Sequence, residues 1–282
     1  MTARRAWGRG LAMLALVAGV SACGGGRAPD ATQDQLESFS AQQIYERGEF
    51  ELADGQPDDA AFYFGEVERL YPYSELAKRA LIMQAFAYHQ DRDYPNSRAT
   101  AQRFIDFYPA DEDAAYAQYL LALSYYDQID EVGRDQGLTF QALQALRTVI
   151  ERYPESEYAR SSILKFDLAF DHLAGKEMEI GRYYLRDRHY AAAINRFRVV
   201  VEDFQTTSHT PEALHRLVES YLSLGLDAEA QTAGAILGYN YQGTDWYEDS
   251  YALLTGRGLR PEPVGNSWLA QVYRQVVRGE WL

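Results

Sequence analysis

The chain has 282 residues, enough for one large domain or two ordinary ones. Hydrophobic residues make up 47% and charged residues 24%, a composition typical of globular rather than disordered proteins. A formal net charge of −14 argues against a nucleic-acid-binding protein, since those need a basic face for phosphate, and a single cysteine excludes an intramolecular disulfide.

The N-terminal residues have the pattern of an export signal. Met1 to Gly10 contains three arginines and no acid, and a short apolar run follows from Leu11 to Val20. That run is shorter than the ~20 apolar residues of a membrane-spanning helix. A basic region before a short apolar one is typical of secretion signals, so we expect residues 1–22 to be a signal peptide outside the fold.

The run from Val20 to Cys23 resembles the bacterial lipobox, in which the cysteine is lipidated and becomes the new N-terminus. We predict lipidation at Cys23, because the only thiol lies where a lipobox requires it. The alternative is an ordinary signal-peptidase site beside an unrelated cysteine. In the lipobox resemblance, Gly24 implies sorting to the outer membrane. Residues 23–40 are predicted to be a flexible tether.

The body of the chain contains repeated amphipathic stretches whose apolar residues return every three or four positions, which indicates one buried helical face. Three of them end in a Tyr-Pro pair, and proline ends a helix because it cannot continue the hydrogen-bond ladder. The pairs are Tyr71-Pro72, Tyr108-Pro109 and Tyr153-Pro154. A fourth stretch, residues 193–204, matches but is followed by Gln205.

This self-similarity resembles the tetratricopeptide repeat, a unit of two antiparallel helices that meet at small residues. Gly48 and Phe64 fall at the small and aromatic positions of the first unit, as do Gly181 and Phe197 in the fourth. We therefore predict an all-α tetratricopeptide-repeat solenoid over residues 41–242. Its five helix pairs are predicted near residues 41–72, 75–109, 112–154, 174–206 and 211–239.

Two departures from the repeat are informative. An insertion at residues 129–137 separates the helices of the third unit, and apolar residues at helical spacing from Tyr158 to Ala174 predict a longer first helix in the fourth. Gly175 would weaken that helix by ~1 kcal/mol relative to alanine. Residues 243–282 are predicted to be a helical extension. It either caps the fifth pair, as solenoids require, or binds a partner.

The sequence contains little that indicates catalysis. Its five histidines have no metal-ligand spacing, and it has no glycine-rich phosphate loop and no serine in a nucleophile-elbow context. The acids occur mostly singly on helical faces, which is typical of solvated surface. We predict no enzyme activity, no catalytic residue, no metal and no cofactor.

A solenoid of helix pairs has a concave groove, lined by the first helix of each unit, that binds other proteins. Tyrosine and arginine suit such a groove because they supply contact area and directed hydrogen bonds. About half of the candidates are expected to pack between helices instead. The candidate groove residues are Tyr45, Arg47, Tyr88, Tyr119 and Tyr126.

Several segments carry a family resemblance when they are taken in order along the chain. They are the lipobox, the five repeats, Arg134-Asp135-Gln136 in the insertion, residues 153–159, Asp171-His172-Leu173-Ala174, Tyr183-Tyr184 and Ala193-Ile194-Asn195-Arg196. Together they resemble the BamD family of outer-membrane assembly lipoproteins, over roughly residues 20–240.

The resemblance implies a lipid-anchored scaffold on the periplasmic face of the outer membrane, within the machine that folds and inserts β-barrel proteins. It implies that the early repeats receive unfolded barrel proteins and that the later repeats dock the POTRA region of BamA, with other Bam lipoproteins joining. We predict that Arg196, beside Asn195, contacts an acid on BamA. Arg134 and Asp135 are further candidates for partner contacts.

Two other functions stay open. One is a periplasmic repeat lipoprotein that coordinates envelope constriction or peptidoglycan. This function does not explain why the lipobox and the insertion occur together. The other is a lipid-anchored murein enzyme. Such an enzyme needs a catalytic domain, whereas residues 243–282 are all that follows the repeats.

Overall fold

The structure is a computed structural model that describes residues 36–265 and 267–278. The predicted signal peptide, Cys23 and most of the predicted tether lie outside these residues. The described chain forms twelve α-helices and contains no strand, so the predicted all-α fold is confirmed. The helices are α1 (Ala41–Ala53), α2 (Pro57–Leu70), α3 (Glu75–Gln90), α4 (Tyr94–Phe107), α5 (Ala114–Tyr126), α6 (Gly137–Arg152), α7 (Glu157–Arg186), α8 (Tyr190–Asp203), α9 (Thr210–Leu224), α10 (Asp227–Asn240), α11 (Asp245–Thr255) and α12 (Trp268–Arg278).

The first ten helices form the five predicted pairs. Each helix from α1 to α10 packs against the next one along the chain. First helices also contact the first helices of neighbouring pairs: α1 contacts α3, α3 contacts α5, and α5 contacts α7. This side-by-side stacking is that of a solenoid, in which each unit buries its apolar face against its neighbours.

The connections within four of the pairs share a backbone feature. One residue in each takes a left-handed conformation: Gly55, Arg92, Arg188 and Gly225 have φ between 62° and 76°. Glycine adopts this region without steric cost, whereas arginine is disfavoured there. The third pair has the insertion at this place instead.

The helix ends between units depend on an aromatic residue more than on proline. Tyr71, Tyr108 and Tyr153 end their helices with φ near −130° and ψ near 53°, and each donates its backbone N–H to the carbonyl four residues earlier. Phe204 and Tyr241 take a similar conformation although glutamine follows both. All five rings pack against the core, which explains why the turn persists without proline.

Close approach of the paired helices uses the predicted small and aromatic positions. A Cβ atom added at Gly48 would lie 2.8 Å from Cε1 of Phe64, and one added at Gly181 would lie 2.4 Å from Cε1 of Phe197. Both phenylalanines are fully buried. The two glycines therefore let the second helix of each pair come near the backbone of the first.

Helix α7 runs unbroken for 30 residues and contains the predicted lengthening. Ala169 and Leu173 pack with Leu143 of α6, while Ala174 and Met178 belong to the core shared with α8 and α9. The helix therefore takes part in two successive units. Neither α7 nor any other helix among the described residues combines the length and the low polarity needed to cross a bilayer.

The C-terminal extension packs onto the fifth pair. Leu254 of α11 and Leu269 of α12 are buried in the same core as Leu217 of α9. The indole Nε1 of Trp268 donates a hydrogen bond of 3.1 Å to the Tyr221 hydroxyl. Helices α11 and α12 therefore cover the apolar face of the last repeat, which is the arrangement of a terminal cap.

Candidate protein-interaction site

The candidate groove residues of α1 take different positions. Tyr45 is buried, with its ring 5.3 Å from and edge-on to Phe64, and burial raises its pKa. Its ring belongs to the core, so it offers no groove surface. Arg47 lies at the surface, where its Nη2 is 2.6 Å from Oε1 of Glu51 and its guanidinium lies over the Phe50 ring.

The candidate tyrosines of α3 and α5 are half-buried. Tyr88 packs against the core of the first pair, and burial raises its pKa. The Tyr119 ring lies 5.4 Å from the Tyr158 ring, and the Lys165 ammonium lies 5.4 Å from the centre of the Tyr126 ring. Each of these side chains joins neighbouring helices and keeps part of its surface exposed.

One member of the aromatic cluster between α5 and α7 is absent from the sequence-based candidates. The ring of Tyr116 lies 5.3 Å from that of Tyr158, and burial, together with the neighbouring Tyr158, raises the pKa of Tyr116 to about 12. Tyr116 and Tyr119 lie three positions apart, which places them on one helical face. That spacing was the available signal, but only the fold brings Tyr158 to it.

The predicted partner contacts on α8 lie at the surface. The side chain of Arg196 is 42% exposed, and its Nη1 is 3.1 Å from Oε2 of Glu177 on α7. Asn195 is exposed beside it. An acid on a partner would therefore meet a guanidinium that already has one carboxylate neighbour in its own chain.

The insertion is folded against α7. The Lys176 ammonium donates to the Gly133 carbonyl, and Oε1 of Gln136 lies 3.2 Å from Nδ1 of His172. Arg134 and Asp135 take no part in these two contacts. Arg134 is exposed and pairs with Asp130 at 3.0 Å, and Asp135 accepts a hydrogen bond from the backbone N–H of Gly137. The structure does not bring Arg134 or Asp135 into contact with Arg196.

A recess of about 500 Å³ opens between the insertion, α7 and the connection that leads into α9. Arg182 in this recess binds Glu212 through two hydrogen bonds of 2.8 and 2.6 Å. Burial of Glu212 opposes its ionisation, but the bonds from Arg182 prevail and lower the pKa of Glu212. His209 approaches Asp171 at 3.4 Å. Across the described residues, no group of three or more potential ligands is arranged to hold a metal ion.

Two solved tetratricopeptide-repeat structures are among those that this chain matches. A thermophilic TPR protein of Thermus thermophilus, TTC0263, covers 77% of this chain and 100% of its own length, with a TM-score of 0.37 and 20% identity. The TPR domain of P58(IPK) covers 88% of this chain and 60% of its own length, with a TM-score of 0.30 and 14% identity.

Relatives in sequence are closer. The chain is 47% identical over 251 residues to the outer membrane protein assembly factor BamD of Caulobacter vibrioides, covering 89% of this chain and 82% of that protein. It is 44% identical to BamD of Rickettsia prowazekii over 75% of this chain and 84% of that protein. A family model named YfiO and described as an outer membrane lipoprotein matches residues 37–236. The chain therefore belongs to the YfiO/BamD family of outer membrane lipoproteins.

Proposed function

We propose that this protein is a non-enzymatic scaffold of the machinery that assembles β-barrel proteins in the outer membrane. The observation that carries the proposal is 47% identity, over 89% of the chain, to a protein named as an outer membrane protein assembly factor. The stacked helix pairs support it, because a solenoid offers long surfaces to other proteins.

The scaffold is held at the periplasmic face of the outer membrane by lipid on Cys23. The run from Val20 to Cys23 supports this part of the proposal, because it resembles a lipobox and contains the only thiol of the chain. Acyl chains contribute ~0.8 kcal/mol per buried methylene, so several chains anchor a protein firmly. Residues 1–22 are the cleaved signal, and the tether begins at Cys23 and ends before Leu36, which is buried in the core of the first pair.

The two ends of the solenoid have different partners. The early repeats receive unfolded barrel proteins, with half-buried tyrosines such as Tyr88 and Tyr119 as groove contacts. The later repeats dock the POTRA region of BamA through Arg196 and Asn195, and other Bam lipoproteins join the complex. The exposure of Arg196 and Asn195 on α8 supports the second assignment.

Co-purification of BamA with the tagged protein from detergent-solubilised membranes tests the scaffold and the Arg196 contact. Arg196→Glu should reduce BamA recovery about fivefold or more, which corresponds to about 1 kcal/mol, with an unchanged helical circular-dichroism spectrum. The matched control is Arg103→Glu, because Arg103 is also half-exposed and paired with an acid of another helix, Glu68, but belongs to the second unit. It should leave BamA recovery unchanged.

Undiminished BamA recovery with Arg196→Glu would remove Arg196 from the interface without affecting the scaffold role. Recovery of murein enzymes in place of BamA by the unmodified protein would overturn the scaffold role itself. It would favour the peptidoglycan alternative.

The anchor has a separate test. Cys23→Ala should yield a folded protein in the soluble periplasmic fraction, because it removes the only acylation site. Retention of this variant in membranes washed with high salt would mean that another element anchors the chain.

A further inference from the structure

The recess beside the insertion is part of a longer groove. A second hollow of about 400 Å³ lies between α7 and Thr206–Ser208, and both hollows are lined by Leu168 and Asp171. We call the two hollows and the α7 residues between them the α7 groove. Residues 168, 171, 175, 179 and 182 line the hollows and follow one another at helical spacing, so a single face of α7 lines the groove along its length.

The α7 groove begins with exposed apolar surface. Leu164 is 69% exposed and Leu168 is 63% exposed, and their four-residue spacing places them side by side. Ile163 is exposed next to them. Single exposed leucines are common on proteins, but Leu168 lines both hollows and Leu164 lies one turn before it, so together they form a surface that can bury a partner's side chain.

The charge of the groove is negative. Glu131 and Glu179 line it, are exposed, and form no ion pair within the described residues. The guanidinium of Arg182 is already bound by both oxygens of Glu212, so it offers little attraction to an anion. Phosphate-bearing partners such as nucleic acids and anionic lipids are therefore disfavoured, and cationic side chains are favoured.

The distance between the exposed leucines and Glu179 along α7 sets how far apart the matching side chains of a partner must be. Gly133 of the insertion approaches the Glu179 carboxylate, since a Cβ atom there would lie 3.6 Å from Oε2. Leu168 and Glu179 are eleven positions apart, which is about 16 Å along a helix. An extended peptide covers this distance in roughly five residues.

We propose that the α7 groove binds a short segment of a partner protein in which a leucine-like side chain precedes a lysine or arginine by about five residues. The apolar side chain packs on Leu164 and Leu168, and the cation lies between Glu131 and Glu179. This interaction surface lies beyond the proposed function and does not depend on it, because it concerns the isolated chain and requires no contact at Arg196.

The test uses the purified chain with Cys23→Ala and three synthetic peptides. Binding is followed by changes in the amide chemical shifts of the chain in nuclear magnetic resonance. The first peptide is Ac-Leu-Leu-Ser-Gly-Ser-Gly-Arg-Arg-NH2. The second has glutamates in place of its arginines, and the third has alanines in place of its leucines. The first should shift amides of residues 131–133, 164–182 and 206–209, and the other two should bind at least tenfold more weakly, which is about 1.4 kcal/mol.

Variants of the chain identify the contacts. Leu168→Ser, and separately Glu131→Gln with Glu179→Gln, should each raise the Kd of the first peptide at least fivefold. The matched controls replace exposed residues of the same types elsewhere: Leu253→Ser on α11, and Glu112→Gln with Glu155→Gln between helices. The controls should leave the Kd unchanged.

Four results would overturn the proposal, three with the peptides and one with the variants. The peptide results are equal binding of the arginine and glutamate peptides, shifts that fall outside the groove, and no shift at millimolar peptide. The variant result is an equal loss of affinity in the groove variants and their controls. None of these results bears on BamA recovery, so the inference and the proposed function fail separately.

Discussion

The two glycines of α7 are six residues apart and both are buried, but different atoms lie beside them. A Cβ atom at Gly181 would lie 2.4 Å from the buried ring of Phe197, whereas one at Gly175 would lie 3.2 Å from the imidazole Nε2 of His209, at the edge of the recess. The first glycine permits dense packing between two helices, and the second leaves a hollow open. Within two turns, one continuous helix therefore changes from lining a recess to packing closely against a neighbouring helix.

The largest expected effect on stability is at Phe197, which packs against Gly181. Phe197→Ala should lower the free energy of unfolding by about 3–5 kcal/mol, because it leaves a cavity in a fully buried position. Phe140→Ala, at an exposed phenylalanine of α6, is the control and should change it by less than about 0.5 kcal/mol. Urea unfolding followed by circular dichroism measures both, and similar losses for the two variants would mean that the Phe197 ring is packed no more tightly than an exposed one.

Gly181→Ala should give the next largest loss. The added methyl group forces the Phe197 ring to move, which costs about 1–3 kcal/mol, and alanine returns ~1 kcal/mol through its better helix propensity. The net result is a loss of stability of up to about 2 kcal/mol, measured by the same urea transitions. A variant as stable as the parent chain would mean that the helices separate at little cost.

A buried histidine tests whether dense packing extends into the C-terminal cap. His215 of α9 is 4% exposed, with Nδ1 2.8 Å from Oγ of Ser250 on α11. Burial, aided by Arg216, lowers its pKa in the folded chain. The unfolded chain therefore binds the proton more readily, and folding stability should decrease as the pH falls below about 6.5.

Urea unfolding of the parent chain and of His215→Gln across this pH range isolates that contribution. The difference in stability between the two proteins should narrow as the pH falls. A difference that stays constant would mean that protonation of His215 does not lower the folding stability of the chain.

The smallest effect is expected at Gly175, which lines the recess. Gly175→Ala should raise stability by up to about 1 kcal/mol, because the helix gains propensity and the half-buried His209 ring lies at the end of a side chain that can turn aside. The added methyl group narrows the recess, so peptide affinity should fall while stability rises. A gain of stability with Gly175→Ala and a loss with Gly181→Ala would show that only the second position is too tightly packed for a methyl group.

The repeats could be predicted because their signals are local. Tyr71-Pro72 and its two counterparts mark helix ends within a few residues, and Gly48 with Phe64 lies in one helix pair. The unbroken α7 was likewise predictable from continuous apolar spacing. Proline, however, proved dispensable at Phe204, where an aromatic ring in the core keeps the same turn.

The surfaces could not be predicted in the same way because they join distant segments. The fold of the insertion depends on contacts such as Lys176 with the Gly133 carbonyl, and the environment of Arg196 depends on Glu177 of another helix. The sequence placed Tyr45 on the correct helix, but which face of α1 meets Phe64 is decided by the packing of the pair.

The length of α7 has a mechanical consequence. An unbroken helix of 30 residues measures about 45 Å, and a hinge within it would break main-chain hydrogen bonds. The first half of the helix packs against the third unit, and its second half packs in the core of the fourth unit. One rigid helix therefore joins the insertion, which Lys176 contacts at the Gly133 carbonyl, to Glu177, the acid paired with Arg196.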